Sequence, residues 1–470
     1  MNRLRSKAID EARDIVSRLA ISFKIAQTYS VGNETVERAI DAFVLMLKPL
    51  LRGGERLDID LHGDYFYINN ARVRYSVQHY MNFDFLINEF RKRGLGNIAF
   101  SGDISRKHIQ EFITAFNACL STDIPFITLQ GDVDIIDSIE VGPLKNMRSD
   151  SLMDVRRTIK KSYFNAVSNL KSVVTRVQSG QTVEVRKARL AVNSLIDLML
   201  QEEQMLVSMT AIKDYDDYTY YHSVNVSILS VALGLKLGLN KKRLSELGIA
   251  AFLHDIGKVN IAGEILNKAA PFSDEEWEII RSHPIEGVKT IVGSMKMDSV
   301  TIRSAIVSFE HHLNYDCSGY PLVVAAAQLD LYSNIITIAD RFDAMTSARV
   351  YESTPKPPEE ALRILVDRAG KDVDPALLKI FIRMTGYYPI GAMVVLDTSE
   401  MGIVCKSNAE LPDRPSVILL FGSQKTRIDN VMVDLAEKGQ GGNYLRTIRK
   451  TVDPYQYGIN ISEYLLEANA

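Results

Sequence analysis

The stretch Phe252-Leu253-His254-Asp255-Ile256-Gly257-Lys258 constrains this chain more than any other. Its approach, from Leu247 to Leu253, is apolar and suits a helix, so an imidazole and a carboxylate arrive side by side at the end of a buried element. Burying such a pair is costly unless something compensates both groups. A single His-Asp couple is ordinarily satisfied by hydrogen bonding alone. The distribution of the other histidines argues otherwise here. The chain has 8, and five of them, His222, His254, His283, His311 and His312, fall between residues 222 and 312. The intervals are 32, 29 and 28 residues up to the His311-His312 pair, and Asp340 follows 28 residues after His312. Intervals of that size suit successive helices converging on one centre, each delivering a ligand or two. A metal ion is the usual compensation for clustered imidazole nitrogens and carboxylate oxygens. Gly257 ends the helix, and Lys258 returns a cation to the mouth of the same site.

At 470 residues the chain exceeds what one core organises, and its length suggests about three domains. A formal net charge of -3 and a pI near 6.3 offer no field for nucleic acid or an anionic membrane. No apolar run approaches the roughly 18 residues of a membrane span. The N-terminus leads into a charged amphipathic helix rather than a signal peptide. Cys119, Cys317 and Cys405 are widely separated and odd in number, against a disulfide framework. The expectation is a soluble cytoplasmic protein with no nucleic-acid partner and no membrane insertion.

Along the chain, residues 1–150 predict an α+β module. Two helices come first, the second capped by Asn33. Strands with period-two alternation follow at Leu57-Ile59-Leu61 and Tyr65-Tyr67, then a helix over 83–93, a strand near Ile98 and a helix over 105–119. Residues 121–150, with Pro125 and Pro143, suggest an edge strand and linker, and His62, His79 and His108 stand isolated. Residues 151–215 form a helical linker whose Val155, Ile159, Tyr163, Ala166, Leu170, Val173 and Val177 alternate at spacings of four and three. That seam fits either packing within the chain or a homodimer through residues 155–209. Residues 216–386 predict an all-α core with helices over 218–237, 241–255, 273–292, 300–312 and 331–348, the third opened by a Ser273/Glu276 capping box. After Gly386 the period returns to two, so residues 387–470 form a small β-rich subdomain with a terminal helix.

Together these motifs resemble the HD-GYP family of metal-dependent phosphohydrolases over residues 218–385. The resemblance rests on His222-Ser223-Val224-Asn225-Val226, His254-Asp255-Ile256-Gly257-Lys258 and Glu264-Ile265-Leu266-Asn267-Lys268. It extends through His283-Pro284, His311-His312, Gly319-Tyr320-Pro321, Ala339-Asp340-Arg341-Phe342-Asp343-Ala344 and Asp374-Pro375, with Tyr388-Pro389-Ile390-Gly391 opening the usual small subdomain. The resemblance implies an HD-type helical core that hydrolyses cyclic di-GMP, its water activated as hydroxide by two divalent transition-metal ions, iron or manganese. His222, His254 and Asp340 would hold one ion and His283, His311 and His312 the other, with Asp255 bridging. Lys258, Gly319, Tyr320, Pro321 and Arg349 would meet the cyclic dinucleotide, Lys258 neutralising phosphoryl charge.

The chain departs from the family in several places. Tyr218 stands where some members carry a Glu that helps hold a third metal, which favours two ions. Within the loop after the paired histidines, Leu313 replaces an acid and Cys317 a Gly, and Asn334 stands where an Arg is common. A carboxylate at 313 could orient a histidine, and Gly at 317 would allow positive φ, so slow turnover is expected. The competing readings are a receptor that binds the nucleotide without turning it over, and a phosphohydrolase for another nucleotide.

Overall fold

A computed structural model of the chain describes residues 2–459 and Tyr464, apart from 53, 64, 74–78, 145–150, 182–184, 212–217, 267, 269, 324–327, 348–354, 409, 425, 440 and 453. The expected terminal helix and the expected phosphate contact Arg349 therefore lie outside the described residues. The chain divides into two compact units, Met1–Asp154 and Val155–Ala470.

The first unit opens with α1 (Asn2–Ala26) and α2 (Glu34–Leu50). Asn33 caps α2 by accepting from the Thr35 backbone N–H at 2.9 Å, and Val36, Ile40, Phe43, Val44 and Leu47 form its buried stripe. There follow β1 (Arg56–His62), β2 (Tyr65–Ile68), β3 (Ala71–Arg72), α3 (Tyr80–Lys92), β4 (Leu95–Ser101), α4 (Arg106–Ala118), α5 (Pro125–Val133) and β5 (Ile139–Pro143). The strands form one antiparallel sheet of order β3-β2-β1-β4-β5. Leu57, Ile59 and Leu61 of β1 face a core shared with Phe23, Phe43, Phe66, Phe90, Phe100, Phe112 and Phe116. Helix α5 corrects the linker expected over 121–150. Pro125 opens a helix, where its missing N–H is harmless, while Pro143 does close an edge strand.

Helix α6 (Ser151–Gln178) crosses the boundary into the second unit, which continues with α7 (Val185–Ser208), α8 (Tyr218–Lys236), α9 (Lys241–Leu253), a 3₁₀ turn (Ile256–Asn260) and α10 (Gly263–Leu266). It continues through α11 (Asp274–Arg281), α12 (His283–Ser294), α13 (Ser299–Glu310), α14 (Leu331–Thr346), α15 (Pro358–Asp367) and α16 (Pro375–Thr385). The expected linker 151–215 is part of this helical body: Tyr163 of α6 bonds Asn225 of α8, Ser162 meets Ser194 of α7, and Asn193 of α7 accepts from Ser245 of α9. The seam residues Ile159, Tyr163, Ala166, Leu170 and Val173 are buried within this one chain, so the seam gives no support to a homodimer through 155–209. The single helix expected over 273–292 is two. The capping box starts α11 as predicted, but Pro284 cannot donate to a continuing helix and α12 restarts at His283.

The unit ends in β6 (Met393–Leu396), β7 (Met401–Lys406), β8 (Ser416–Phe421), β9 (Arg427–Asp434) and β10 (Ile448–Val452), an antiparallel sheet of order β10-β6-β7-β8-β9. Its two faces bury separate clusters, one around Val394, Leu396, Val404 and Val417, the other around Met393, Ile403, Ile418 and Leu420. No helix among the described residues is long and apolar enough to cross a membrane.

Candidate metal centre

Helix α9, capped by Asn240, carries its apolar face to Leu253 and hands His254 and Asp255 into the helical core. The turn after them lies against α12 because residue 257 is glycine: a Cβ there would sit 2.0 Å from the His283 carbonyl oxygen and 2.4 Å from the Gly287 nitrogen. Gly287 in turn leaves room for Ser308, whose Oγ a Cβ at 287 would meet at 2.1 Å. Ser308 of α13 donates to the His254 carbonyl at 3.1 Å. This line of close approaches draws together the elements bearing His254 and Asp255, His283, and His311 and His312. Helices α8 and α14 close the site with His222 and Asp340.

All seven expected ligands meet. Asp255 Oδ1 lies 3.2 Å from His283 Nε2 and 3.8 Å from His311 Nε2. Its Oδ2 lies 3.8 Å from His222 Nε2, 3.4 Å from His254 Nε2 and 2.5 Å from the Lys258 ammonium. Asp340 Oδ1 stands 3.0 Å from His222 Nε2 and 3.8 Å from His254 Nε2. Two ligand groups result, Asp255 with His283, His311 and His312, and Asp255 with His222 and His254. One carboxylate thus faces both groups, an oxygen to each.

The ring orientations are fixed from behind. His254 donates Nδ1–H to the Ala251 carbonyl at 2.7 Å, His283 to Ile280 at 2.7 Å and His311 to Ser308 at 2.8 Å. A carbonyl only accepts, so each Nδ1 carries the proton and each Nε2 presents a lone pair to the centre. His222 reaches the same state differently, donating Nδ1–H to the Asp343 carboxylate at 2.8 Å. The outcome is a buried set of acceptors facing acceptors. His283 and His311 point Nε2 at each other across 3.1 Å, and His254 Nε2 is buried without a hydrogen-bond partner. Buried lone pairs in that arrangement are costly unless a cation lies among them, and the donor chemistry fits divalent transition-metal ions.

At Asp255, Asp340, His311 and His312 the electrostatics agree. Burial alone would raise the Asp255 pKa, but Lys258, His254 and His283 outweigh it and hold the carboxyl well below its usual range. Asp340 is likewise held low against its burial, chiefly by His222. Burial pushes His311 down to about 4, and His312 falls well below its ordinary value through burial and its imidazole neighbours. His222 moves up, because Asp340 and Asp343 overcome its burial. Neutral histidines and ionised carboxylates are the forms that bind metal.

The loop from Leu313 to Pro321 is firmly held. Asn314 and Cys317 bond Ser318 and Asn314 across it, while Tyr315 and Asp316 donate to the Asp372 and Lys371 carbonyls. Arg341 ties Asn314 to Asp372 at 2.6 and 2.8 Å. Cys317 adopts φ +62°, the left-handed backbone that Gly would take more easily, so the turn forms at some strain. Gly319 has φ +104°, and a Cβ there would meet the His312 carbonyl at 2.4 Å. The Tyr320 ring lies 4.6 Å from that of His312, and Pro321 is buried beside it. Leu313 is buried too, and the expectation that it deprives a histidine of its orienting acceptor needs correction for His311, which uses the Ser308 carbonyl. Tyr218 stacks on the His222 ring at 5.4 Å, covering it where a carboxylate was considered. Asn334 bonds backbone within its own helix end.

Sequence reasoning missed the support behind His222. Asp343, Asn225 and Tyr163 carried no assigned role, yet the signal was present: Asp343 follows Asp340 by three residues and Asn225 follows His222 by three, one helical turn each.

Residues 193–377 match the family model described as HD domain. A Pseudomonas aeruginosa protein named cyclic di-GMP phosphodiesterase PA4108 is 32% identical over 262 residues, 56% of this chain and 62% of that protein. A cyclic di-GMP phosphodiesterase of Thermotoga maritima is 32% identical over 182 residues, covering 38% of this chain and 49% of that one. A Vibrio cholerae protein named 3'3'-cGAMP-specific phosphodiesterase 1 is 34% identical over 158 residues, covering 33% of this chain and 35% of its own length. The chain spans less than two thirds of the length of these relatives.

Proposed function

We propose, from the premise that residues 193–377 are an HD domain, that this chain is a metal-dependent phosphodiesterase hydrolysing cyclic di-GMP. The observation that carries the reading is Asp255, whose two oxygens face two separate groups of Nε2 lone pairs. His222, His254, Asp255 and Asp340 would hold one divalent ion and Asp255, His283, His311 and His312 a second. Iron or manganese suits this mixture of imidazole and carboxylate. When bound, such a pair acidifies water and polarises a phosphate.

The protein's own groups complete the chemistry. Lys258 partly emerges from the site with its ammonium against Asp255, placed to offset negative charge on a phosphoryl oxygen. The Tyr320 ring, over His312, offers a flat face to a base, and Gly319 lets the loop backbone come close. Pro321 belongs to the same proposed substrate surface, and Arg349, outside the described residues, is kept as a phosphate contact on the sequence resemblance alone. His311 is oriented without help from residue 313, so Leu313 costs that ligand no acceptor. The relatives' names support a cyclic dinucleotide as substrate, with a cyclic GMP–AMP molecule as the alternative. Cys119, Cys317 and Cys405 form no disulfide, which suits the reducing cytoplasm. Residues Met1–Asp154 hold no clustered metal ligands among those described, which supports a sensing or partner-binding role.

The test is metal content and turnover on full-length protein purified under reducing conditions without chelator. Two ions per chain with hydrolysis of cyclic di-GMP in preference to 3'3'-cGAMP is the expected result. The reverse preference would reassign the substrate. Two bound ions with neither molecule cleaved would make the chain a receptor.

A further inference from the structure

Three of the four buried imidazoles at the centre are oriented by their own backbone, each donating to the carbonyl three residues earlier. Those bonds belong to the local helix end and form whenever it forms. His222 alone among the described ligands is oriented by a side chain distant in sequence, Asp343 of α14.

Behind Asp343 stands a chain of buried groups. Its Oδ1 accepts from Asn225 Nδ2 at 3.1 Å, and its Oδ2 accepts from His222 and, at 3.3 Å, from Ser347. Asn225 Nδ2 also donates to the Thr210 carbonyl at 3.2 Å. Both amide hydrogens of Asn225 therefore face acceptors, and its Oδ1 must turn the other way. There it accepts from the Tyr163 hydroxyl of α6 at 2.8 Å. A flipped amide would set its oxygen against a carboxylate and a carbonyl, so the polarity of the sequence Tyr163 to Asn225 to Asp343 to His222 is fixed. Tyr163 and Asn225 are fully buried, leaving no water to replace a lost partner.

We infer that Tyr163 is a positioning residue for the metal centre, acting through Asn225 and Asp343 on the His222 imidazole. The inference rests on the metal-centre reading given above. It makes the two ligand groups unequal. In one group His283 and His311 are set by local helix ends, whereas in the other His222 also depends on where α6 lies. Helix α6 is where the chain enters the second unit from the first. A displacement of α6 would loosen one site and leave the other intact.

The experiment uses Tyr163→Phe in the full chain, which keeps the ring and removes only the hydroxyl. Metal-stripped protein is titrated with manganese(II) while the free ion is followed by electron paramagnetic resonance. Wild type should show two sites, and the variant should bind one of them about tenfold more weakly with the other unchanged, at the lower end of losses found for outer-shell partners of metal ligands. Independently, ¹⁵N-edited spectra of the stripped proteins should show the His222 Nδ1–H resonance shifted or broadened, with those of His254, His283 and His311 in place. Asn225→Leu, which cuts the relay closer to Asp343, should give the same one-site pattern more strongly. Equal weakening of both sites with a lowered melting temperature would overturn the inference in favour of plain structural damage. So would an unchanged His222 resonance. If wild type takes up no manganese, the metal-centre reading itself fails, a result distinct from either.

Discussion

In the Met1–Asp154 unit, Arg93 is buried with its guanidinium over the Phe116 ring at 3.7 Å. Two of its nitrogens donate to the Phe116 and Glu89 carbonyls and to the Glu89 carboxylate, which also accepts from Lys92 at 2.6 Å and Gln27 at 2.7 Å. In the second unit Asp255 is equally buried, but among imidazoles that point lone pairs rather than protons at it. Both clusters pay the desolvation of ionised groups. In the first, protein donors satisfy the Glu89 carboxylate and Arg93 Nη2 is left buried without a hydrogen-bond partner, a leftover donor that calls for no cation. The second lacks donors apart from Lys258, and needs a cation. Burial and charge by themselves therefore do not mark a functional site; a surplus of one kind of hydrogen-bonding partner does.

The sharpest way to break this comparison is to remove one charged group from each cluster. Asp255→Ala should release both metal ions and lower turnover about a thousandfold or more, because the bridging carboxylate is shared by both ligand groups. Elemental analysis and hydrolysis assays decide it, and retention of two ions would show that Asp255 does not bridge. Arg93→Met, by contrast, leaves Glu89 ionised and buried with one cation fewer, and should destabilise the first unit by about 3–5 kcal/mol with metal content unchanged. Chemical denaturation followed with the metal assay separates the two effects, and adding Glu89→Leu should recover much of the loss.

Acid should act on the two clusters in different windows. In metal-free protein His311, held near 4, stays neutral while its unfolded counterpart takes a proton near 6.5. The unfolded state then binds more protons, so stability falls as pH drops from about 6.5 toward 4, by at most about 1.4 kcal/mol per pH unit for this group. His312, also depressed, adds to that loss, while His222, raised, works against it by protonating first in the folded state. Glu89 is held below its ordinary value by Lys92 and Arg93 against its burial, so its contribution is lost only as pH falls below about 4.5. Melting curves of stripped protein between pH 7 and 5 should therefore move the second unit and spare the first, and a common shift of both would contradict the distinction.

The smallest effect is expected inside the loop. Cys317→Gly relieves a left-handed residue at φ +62° and should stabilise the second unit by less than about 1 kcal/mol, since the added freedom of the unfolded chain offsets part of the gain. Leu313→Glu should not speed turnover, because His311 already has its acceptor. A large rise in rate from Leu313→Glu would restore position 313 to the orienting role.

Much of this molecule was legible in the chain. The stripe Val36, Ile40, Phe43, Val44, Leu47 and the alternation Leu57, Ile59, Leu61 named their elements, because helical and extended periods place side chains on one face whatever they later touch. The Ser273/Glu276 capping box and the seven candidate ligand residues were visible for a similar reason: caps are local, and clustered histidines are too scarce to be scattered by chance. Position 284 was harder. A proline can sit within a helix start or break a helix, and only the restart of α12 at His283 decided which.

What the sequence determined alone, then, was the inventory: which residues could ligate, which elements carried them, and that strand-forming stretches precede and follow the helices along the chain. Tertiary structure decided the division of labour. Asp255 faces both ligand groups because Gly257 and Gly287 let the turn, α12 and α13 come within backbone contact, a closeness no spacing announces. The seam of α6 packs onto α7 and α8, since an apolar stripe records that it must be covered but not by what. The relay from Tyr163 to His222 joins residues 59 positions apart in sequence. Hydrogen-bond partners at that separation are selected by packing, and the order of amino acids carries no periodic trace of them.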